Sequence, residues 1–261
     1  MKLFQAFAAA SLAALAFSAH AVGRLADVSI FDRSTGRELP VYWHEGRAYV
    51  VGKPGNEYRV VVRSRNGEDL LAVVSVDGVN VMSGETAAPL QSGYIVSPWN
   101  RVDIGGWRKS LDEIAAFYFT SLGDSYAART GRPANVGVIG AAIFERKRDD
   151  PPPPVAYSPS TNVAPQMKSE SRDAYRSSGA PAESSRIAPA ASAPLGTGHG
   201  RREESRVRWV NFQRASDTPA EVIAIYYDSY RNLVASGVLQ SPAVPREPDP
   251  FPMAFAPDPT R

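Results

Sequence analysis

No cysteine occurs in the 261 residues. The fold can therefore contain no disulfide, which excludes the small scaffolds that disulfides hold together. Histidine is nearly as scarce, since only His44 and His199 follow the first 21 residues. The patterns Gly-x-Ser-x-Gly, His-Glu-x-x-His and Gly-x-x-x-x-Gly-Lys-Ser/Thr do not occur. This composition favours a non-enzymatic protein without a cofactor or a metal site.

The chain also lacks an excess of charge of either sign. It has 29 Lys and Arg against 27 Asp and Glu, and removal of Lys2 with the first 21 residues leaves a net charge of +1. Attraction to nucleic acid or to an anionic membrane surface is not expected from such a balance.

A long apolar run is missing as well. The apolar stretch Leu3–Phe17 has 15 residues, whereas a membrane-spanning helix needs roughly 20. Lys2 precedes this stretch, and small residues follow it at Ala19 and Ala21. This is the pattern of a secretory signal peptide that is cleaved after Ala21. We expect the mature chain to be periplasmic or secreted and to have no membrane span.

Two Pro-rich segments divide the chain. Residues 149–194 contain nine Pro, nine Ala and nine Ser, and residues 241–261 contain seven Pro. Such segments bury too little apolar surface to offset their conformational entropy, so a disordered linker and a disordered tail are predicted. Two ordered parts remain, 22–148 and 195–240.

The first ordered part has the pattern of a β protein. Short runs rich in β-branched and aromatic residues alternate with Gly-containing turns. Strands are predicted at 25–31, 37–43, 47–51, 57–63, 70–76, 93–96, 101–105, 113–121 and 136–144. Asn66-Gly67 is a strong hairpin signal between two of these runs. Residues 111–119 also suit a helix, but the run Phe117-Tyr-Phe-Thr120 favours a strand.

The second ordered part opens with the glycine run Gly196-Thr-Gly-His-Gly200 and continues as a predicted strand at 206–213. A unit of about 45 residues is too small to be stable alone without disulfides or metals, so it should pack on the first part. The predicted fold is therefore mainly β. It is an antiparallel β-sandwich of the jelly-roll or immunoglobulin-like class, with a small C-terminal β/α piece packed on it across the linker.

Residues 222–227 are compatible with two structures. They form either a buried strand, after which Asp228 or Ser229 caps a short helix, or part of one helix that begins at Pro219. Both interpretations end at Gly237, which suits a left-handed helix stop. The density of strand-forming residues favours the strand and short helix.

Aromatic residues near strand ends and turns are the main candidates for a binding site. Tyr94, Trp99 and Trp107 occupy such positions, and Arg108 follows Trp107. Aromatic residues there either pack in the core of a sandwich or form an exposed platform for a sugar ring or a peptide.

The glycine run around His199 is a second candidate. Glycines let the backbone approach a ligand and expose amides to an anion, and Arg201 follows at once. A flexible turn at the exit of the linker is the simpler interpretation. Asp77-Gly-Val-Asn80 offers oxygen ligands for Ca²⁺, but the alternation of a calcium loop is incomplete and a tight turn is favoured.

Six stretches of the chain carry a resemblance to known proteins, namely Val73–Val81, Gly106–Ser110, Phe117–Thr120, Arg129–Gly140, Leu195–Gly200 and Ile225–Ser229. They resemble a group of exported proteobacterial proteins of unknown function. The resemblance covers both ordered parts and implies one protein built of two co-packed pieces. It implies no activity, cofactor or catalytic residue.

We expect a binding or interaction module of the cell envelope. It would recognise a protein, a peptide or a glycan through a strand edge or through the loops that carry Trp99 and Trp107. One alternative is a carbohydrate-binding or carbohydrate-active protein that uses Asp103 and Asp112. Another is a structural or assembly accessory whose Pro-rich segments are peptide ligands.

Overall fold

A computed structural model describes residues 22–148 and 193–240. The predicted signal peptide at 1–21 and the predicted tail at 241–261 lie outside the described residues. So does the predicted linker, apart from its last two residues.

Fourteen strands and two short α-helices form the described part. The strands are β1 (Ala26–Asp32), β2 (Arg37–Glu38), β3 (Val41–His44), β4 (Arg47–Val51), β5 (Glu57–Ser64), β6 (Leu70–Val76), β7 (Val79–Asn80), β8 (Tyr94–Val96), β9 (Arg101–Ile104), β10 (Gly106–Arg108), β11 (Glu113–Ser121), β12 (Val138–Glu145), β13 (Leu195–Glu204) and β14 (Glu221–Asp228). The helices are α1 (Tyr126–Arg129) and α2 (Tyr230–Ala235).

The strands form two seven-stranded sheets that enclose one core. The first sheet has the order β10-β11-β5-β1-β2, with β13 paired to β11 and β9 paired to β5. The second has the order β3-β4-β14-β12-β6-β7, with β8 paired to β6. The predicted mainly β sandwich is confirmed. Among the described strands, β4 and β14 are the one parallel pair.

The C-terminal segments complete both sheets. β14 lies between β4 and β12, and its inward side chains Ile223, Ile225 and Tyr227 are buried in the common core. Burial of each such side chain contributes roughly 1.5–3 kcal/mol. β13 pairs with β11 over nearly the whole length of both strands. The C-terminal piece therefore packs on the first part by strand pairing on both sides of the sandwich.

Both ambiguous segments are strands. Residues 113–121 form β11, and 222–227 lie within β14. The Ser229 side chain accepts a hydrogen bond from the backbone N of Asn232 and caps α2, while Gly237 has the left-handed φ of 77° that ends it. The alternative of one helix from Pro219 is wrong.

The glycine run is a strand, not a turn. Gly196, Gly198 and Gly200 all lie in β13, where other parts of the same chain approach its backbone closely. A Cβ atom on Gly198 would lie 2.2 Å from the ring of Tyr118, and one on Gly200 would lie 2.7 Å from the carbonyl oxygen of Ala116. Gly198 and Gly200 are therefore required by packing against β11. They replace the β-branched and aromatic residues that usually identify a strand in a sequence.

The hairpin predicted at Asn66-Gly67 is wrong. The chain does turn there, but β5 belongs to the first sheet and β6 to the second. Both edges of β5 already have partners, with β1 on one side and β9 and β11 on the other. The turn therefore connects the two sheets.

No helix in the two described ranges is long and apolar enough to cross a membrane.

Candidate functional site: a groove beneath a strap

Residues 205–213 form an extended strap that crosses from the first sheet to the second. The sequence predicts a strand at 206–213, but these residues belong to no strand of either sheet. At its start, the backbone N of Ser205 donates to the carbonyl oxygen of Asp112, over 2.7 Å. At its end, Arg214 forms an isolated bridge with Arg146 of the segment after β12. The strap is thus tied down at both ends.

Two arginine–phenylalanine pairs fasten the far end of the strap. The guanidinium of Arg146 lies 4.7 Å from the ring centre of Phe212, and that of Arg214 lies 4.9 Å from the ring centre of Phe144. Such cation–π pairs contribute about 0.5–2 kcal/mol each. Phe212 also packs on a small apolar cluster, which lies on the outer face of the second sheet. The members of the cluster are Leu71, Val73, Ala142 and Phe144.

Arg108 fastens the near end. Its guanidinium donates to both the backbone carbonyl and the hydroxyl oxygen of Ser205. It also donates to the Tyr94 hydroxyl oxygen, over 3.1 Å from Nη2. Two of the predicted ligand-binding residues, Tyr94 and Arg108, are therefore brought together, and Arg108 holds the strap against β8.

A groove of about 620 Å³ lies between the strap and the side of the sandwich. We call it the strap groove. β8 borders it and pairs with β6 alone, so one edge of β8 has no strand partner among the described residues. The apolar floor and the apolar rim are distinct. The floor includes Leu71, Met82, Ile95 and Val102, and the rim includes Leu111, Trp209 and Val210.

Trp209 and Val210 are exposed at the middle of the strap. The neighbouring apolar residues of the strap, Val207 and Phe212, pack against the protein instead. Trp209 is 68% exposed, and Leu111 on the opposite rim is also exposed. These large apolar side chains therefore surround the groove without covering one another.

The lining of the strap groove carries an excess of positive charge. Its charged residues are three arginines, Arg146, Arg208 and Arg214, and one carboxylate, Asp69. Asp69 pairs with Arg146 at a distance of 3.0 Å. Arg214 donates to the backbone carbonyls of Leu90 and Gln91, in the loop before β8. Arg208 is exposed and has no ion pair with any residue of the described ranges.

Trp99 and Trp107, the two tryptophans named as candidate binding residues, have opposite environments. Trp99 is exposed at the tip of the turn between β8 and β9, two residues from Ser97 of the groove lining, and has a strained φ of 58°. Trp107 is 2% exposed, its ring packs edge-on against Phe117, and its indole donates to the carbonyl oxygen of Gly198. Trp107 is a core residue, which confirms core packing as the interpretation of this aromatic and excludes it as an exposed stacking platform.

His199 and Arg201 lie on the first sheet, away from the groove lining. Arg201 donates to both carboxylate oxygens of Glu57, over 2.9 and 3.0 Å, and these bonds lower the pKa of Glu57. His199 borders a cleft of about 300 Å³ with Tyr126. Burial and the nearby Lys109 lower the pKa of His199. Because Arg201 is occupied by carboxylates, the geometry does not favour an anion site there.

The turn Asp77-Gly-Val-Asn80 is not built as a calcium loop, because Asp77 lies at the end of a buried chain of hydrogen bonds. Asp77 is completely buried, and its carboxylate accepts from the Tyr227 hydroxyl over 2.5 Å. Since Tyr227 uses its proton there, the Thr197 hydroxyl must donate to Tyr227 and the Tyr58 hydroxyl to Thr197, each over 2.6 Å. The predicted tight turn is correct, and its carboxylate points inward.

Asp77 is the acceptor on which this chain of hydroxyls depends. Burial raises the pKa of Asp77, although the hydrogen bonds from Tyr227, Gly137 and Thr197 act to lower it. Burial also raises the pKa of Tyr227 well above its ordinary value. Within the described ranges, no group of three or more His, Cys, Asp or Glu side chains is placed to hold a metal ion.

Comparison with known proteins gives no functional class for this chain. No protein-family model matches the chain, and no curated protein and no solved structure matches it either.

Proposed function

We propose that the chain is a non-enzymatic binding module of the cell envelope that holds an extended, apolar and acidic segment of a partner protein in the strap groove. The observation that carries the proposal is the cavity of about 620 Å³ with exposed large apolar side chains on its rim and an excess of arginine in its lining. The envelope location rests on the signal peptide predicted at 1–21.

The apolar rim supports a macromolecular partner. Clusters of exposed apolar side chains beside a cavity are typical of interaction sites, and tryptophan and arginine are the residues that most often dominate binding energy. Trp209 and Val210 lie in the middle of the strap and are 68% and 51% exposed, so much of their apolar surface is in contact with solvent. Their exposure is therefore better explained by a contact outside the chain.

The open edge of β8 supports an extended partner. An extended peptide that pairs with a strand edge gains backbone hydrogen bonds, and its alternate side chains enter the adjoining pocket. β8 offers such an edge beside the groove, with Gly93, Tyr94 and Ile95 in the lining.

The charges of the lining support an acidic partner. Arg208 has no carboxylate partner in the described ranges, and the single acid of the lining, Asp69, is already paired with Arg146. A carboxylate on the partner would complement this surplus and would raise the rate of association.

The carbohydrate alternative finds less support. Asp103 forms ion pairs with Arg59 and Arg101, and neither Asp103 nor Asp112 lines the strap groove. The exposed tryptophan of the groove, Trp209, is therefore not accompanied by the proposed pair of carboxylates.

The test uses the chain from residue 22 to residue 261 and two labelled hexapeptides. One alternates Phe with Asp, and the other alternates Phe with Lys. Fluorescence anisotropy should show that the Asp peptide binds at least tenfold more tightly. Trp209→Ala should weaken its binding about tenfold, as expected for the loss of a central aromatic contact worth about 1–2 kcal/mol. Arg208→Glu should reduce the preference for the Asp peptide.

Trp43→Ala is the matched control, because Trp43 is 56% exposed but does not line the groove. It should leave binding of the Asp peptide unchanged. Equal affinity for the two peptides, or equal losses in the Trp43 and Trp209 variants, would overturn the proposal.

A further inference from the structure

The strap covers only part of the outer face of the second sheet. Phe212 covers the part formed by β6 and β12. On the other part, Tyr42, Tyr49 and Tyr226 stand in register across β3, β4 and β14. The rings of Tyr49 and Tyr226 are 5.5 Å apart between centres, so these side chains share one face.

This aromatic row adjoins exposed apolar residues of β14. Ala224 and Val222 follow on the same face, because side chains two positions apart on a strand point the same way. Both are exposed, and Val222 is 67% exposed. Gly140 stands opposite Ala224 on β12, so neither residue of this pair has a side chain larger than a methyl group. We call the surface formed by Tyr42, Tyr49, Val222, Ala224 and Tyr226 the tyrosine face.

The chain leaves the described part beside the tyrosine face. Ser236 and Val238, which follow α2, line a pocket of about 360 Å³ together with Tyr49 and Tyr226. The sequence continues from residue 241 into the Pro-rich segment. Val238, two residues before the end of the described part, therefore lies close to the aromatic row.

The continuing sequence contains a short pattern that suits this surface. Phe251, Met253 and Phe255 alternate with Pro252 and Ala254. In an extended segment, this spacing places three large apolar side chains on one side. Ten residues, 241–250, lie between Gln240 and Phe251. The eleven steps from Gln240 to Phe251 reach up to about 36–40 Å, whereas the three strands of the face span roughly 15 Å.

Charge complementarity favours the same occupant. Asp249 and Asp258 flank the apolar pattern. On the tyrosine face, the exposed Arg47 lies with its guanidinium 5.4 Å from the ring centre of Tyr226. A carboxylate of the segment would therefore meet a cation at the edge of the aromatic row.

We propose that residues 251–255 of the same chain dock on the tyrosine face. The segment covers the open part of the outer face of the second sheet, as Phe212 covers the rest. This surface is separate from the strap groove, and the inference does not depend on the proposed function.

The experiment places the photocrosslinking amino acid p-benzoylphenylalanine at position 255 of the chain 22–261, and mass spectrometry then locates the products. Crosslinks within one chain to Tyr42, Tyr49, Val222 or Tyr226 are expected. Val222→Asp should reduce their yield at least fivefold. Leu90→Asp should not, because Leu90 is 55% exposed but is not on this face.

Three outcomes would overturn the proposal. Crosslinks between two chains would make a second copy the occupant, and crosslinks to the strap groove would place the segment elsewhere. A yield unaffected by Val222→Asp, with the melting temperature unchanged in that variant, would show that the tyrosine face is not the contact.

Discussion

The hydroxyl of Tyr227 donates a 2.5 Å hydrogen bond to Oδ1 of Asp77, 150 residues away in the chain. Tyr227 is on β14, and Asp77 follows β6 in the same sheet, with β12 between the two strands. Thr197 and Tyr58 extend the chain of hydrogen bonds to β13 and β5 of the other sheet. The buried network therefore joins both sheets and both segments of the sequence.

Tyr227→Phe should destabilise the protein. The substitution removes the acceptor of the Thr197 hydroxyl proton and one of the hydrogen bonds to Oδ1 of Asp77, which costs about 1–3 kcal/mol. Urea denaturation would measure the change in the free energy of unfolding. Tyr226→Phe is the control, since the neighbouring side chain points outward, and it should change that free energy by less than about 0.5 kcal/mol. Similar losses in the two variants would contradict the role assigned to Tyr227.

Asp77→Asn should alter the dependence of stability on pH. Burial raises the folded pKa of Asp77 above its ordinary value of 3.8. The folded state therefore binds the proton more tightly than the unfolded state does. The resulting contribution to the free energy of unfolding is complete below the ordinary pKa and is lost as pH rises through the folded pKa. The stability of the natural protein relative to the Asn variant should fall from pH 3.5 towards neutrality. Urea titrations across this range would test it, and a constant or rising difference would contradict it.

Arg108→Met should loosen the strap. The Met side chain keeps some of the apolar contact but cannot donate to Ser205 or Tyr94. Hydrogen exchange should become faster at the amides of Ser205 and Val207, which bond to the loop before β11. Arg206→Met is the control, because the Arg206 side chain is 78% exposed and pairs only with Glu204 in the described part. Equal protection in natural protein and Arg108→Met would show that Arg108 does not fix the strap.

Cleavage between 149 and 192 should not separate the two parts of the chain. Trypsin can cut there after Lys168, Arg172, Arg176 or Arg186. The fragments should co-elute in gel filtration, because β13 and β14 are held by strand pairing and by a shared core. Separate elution without denaturant would contradict the interleaved sheets.

Sequence patterns predicted those strands whose side chains carry the signal themselves. β5, β6 and β12 are rich in β-branched residues and lie close to their predicted bounds. β13 was missed because Gly198 and Gly200 make room for the Tyr118 ring and the Ala116 carbonyl group of β11. The local sequence does not show that these distant residues are the neighbours. The hairpin at Asn66-Gly67 was wrong because the turn chemistry does not specify which sheet receives the next strand.

The candidate site was predicted only in part. Tyr94 and Arg108 were identified from their positions near strand ends, and the structure brings them together at the strap. Trp209 lies in a charged segment that alternates like a strand edge, so its exposure at a groove could not be inferred. The burial of Asp77 was also hidden, because Asp-Gly is a surface turn signal and its partners are scattered through the sequence.

The place of β14 between β4 and β12 sets a constraint on folding as the chain is synthesised. Residues 22–148 emerge first, with β4 and β12 each lacking a neighbour until residue 228 has been made. Until then, the half-built sheet presents two unpaired strand edges, which are prone to pair with other molecules. The second sheet therefore cannot be completed before β14 has been synthesised, and until then the edges of β4 and β12 have to be kept from pairing with other molecules.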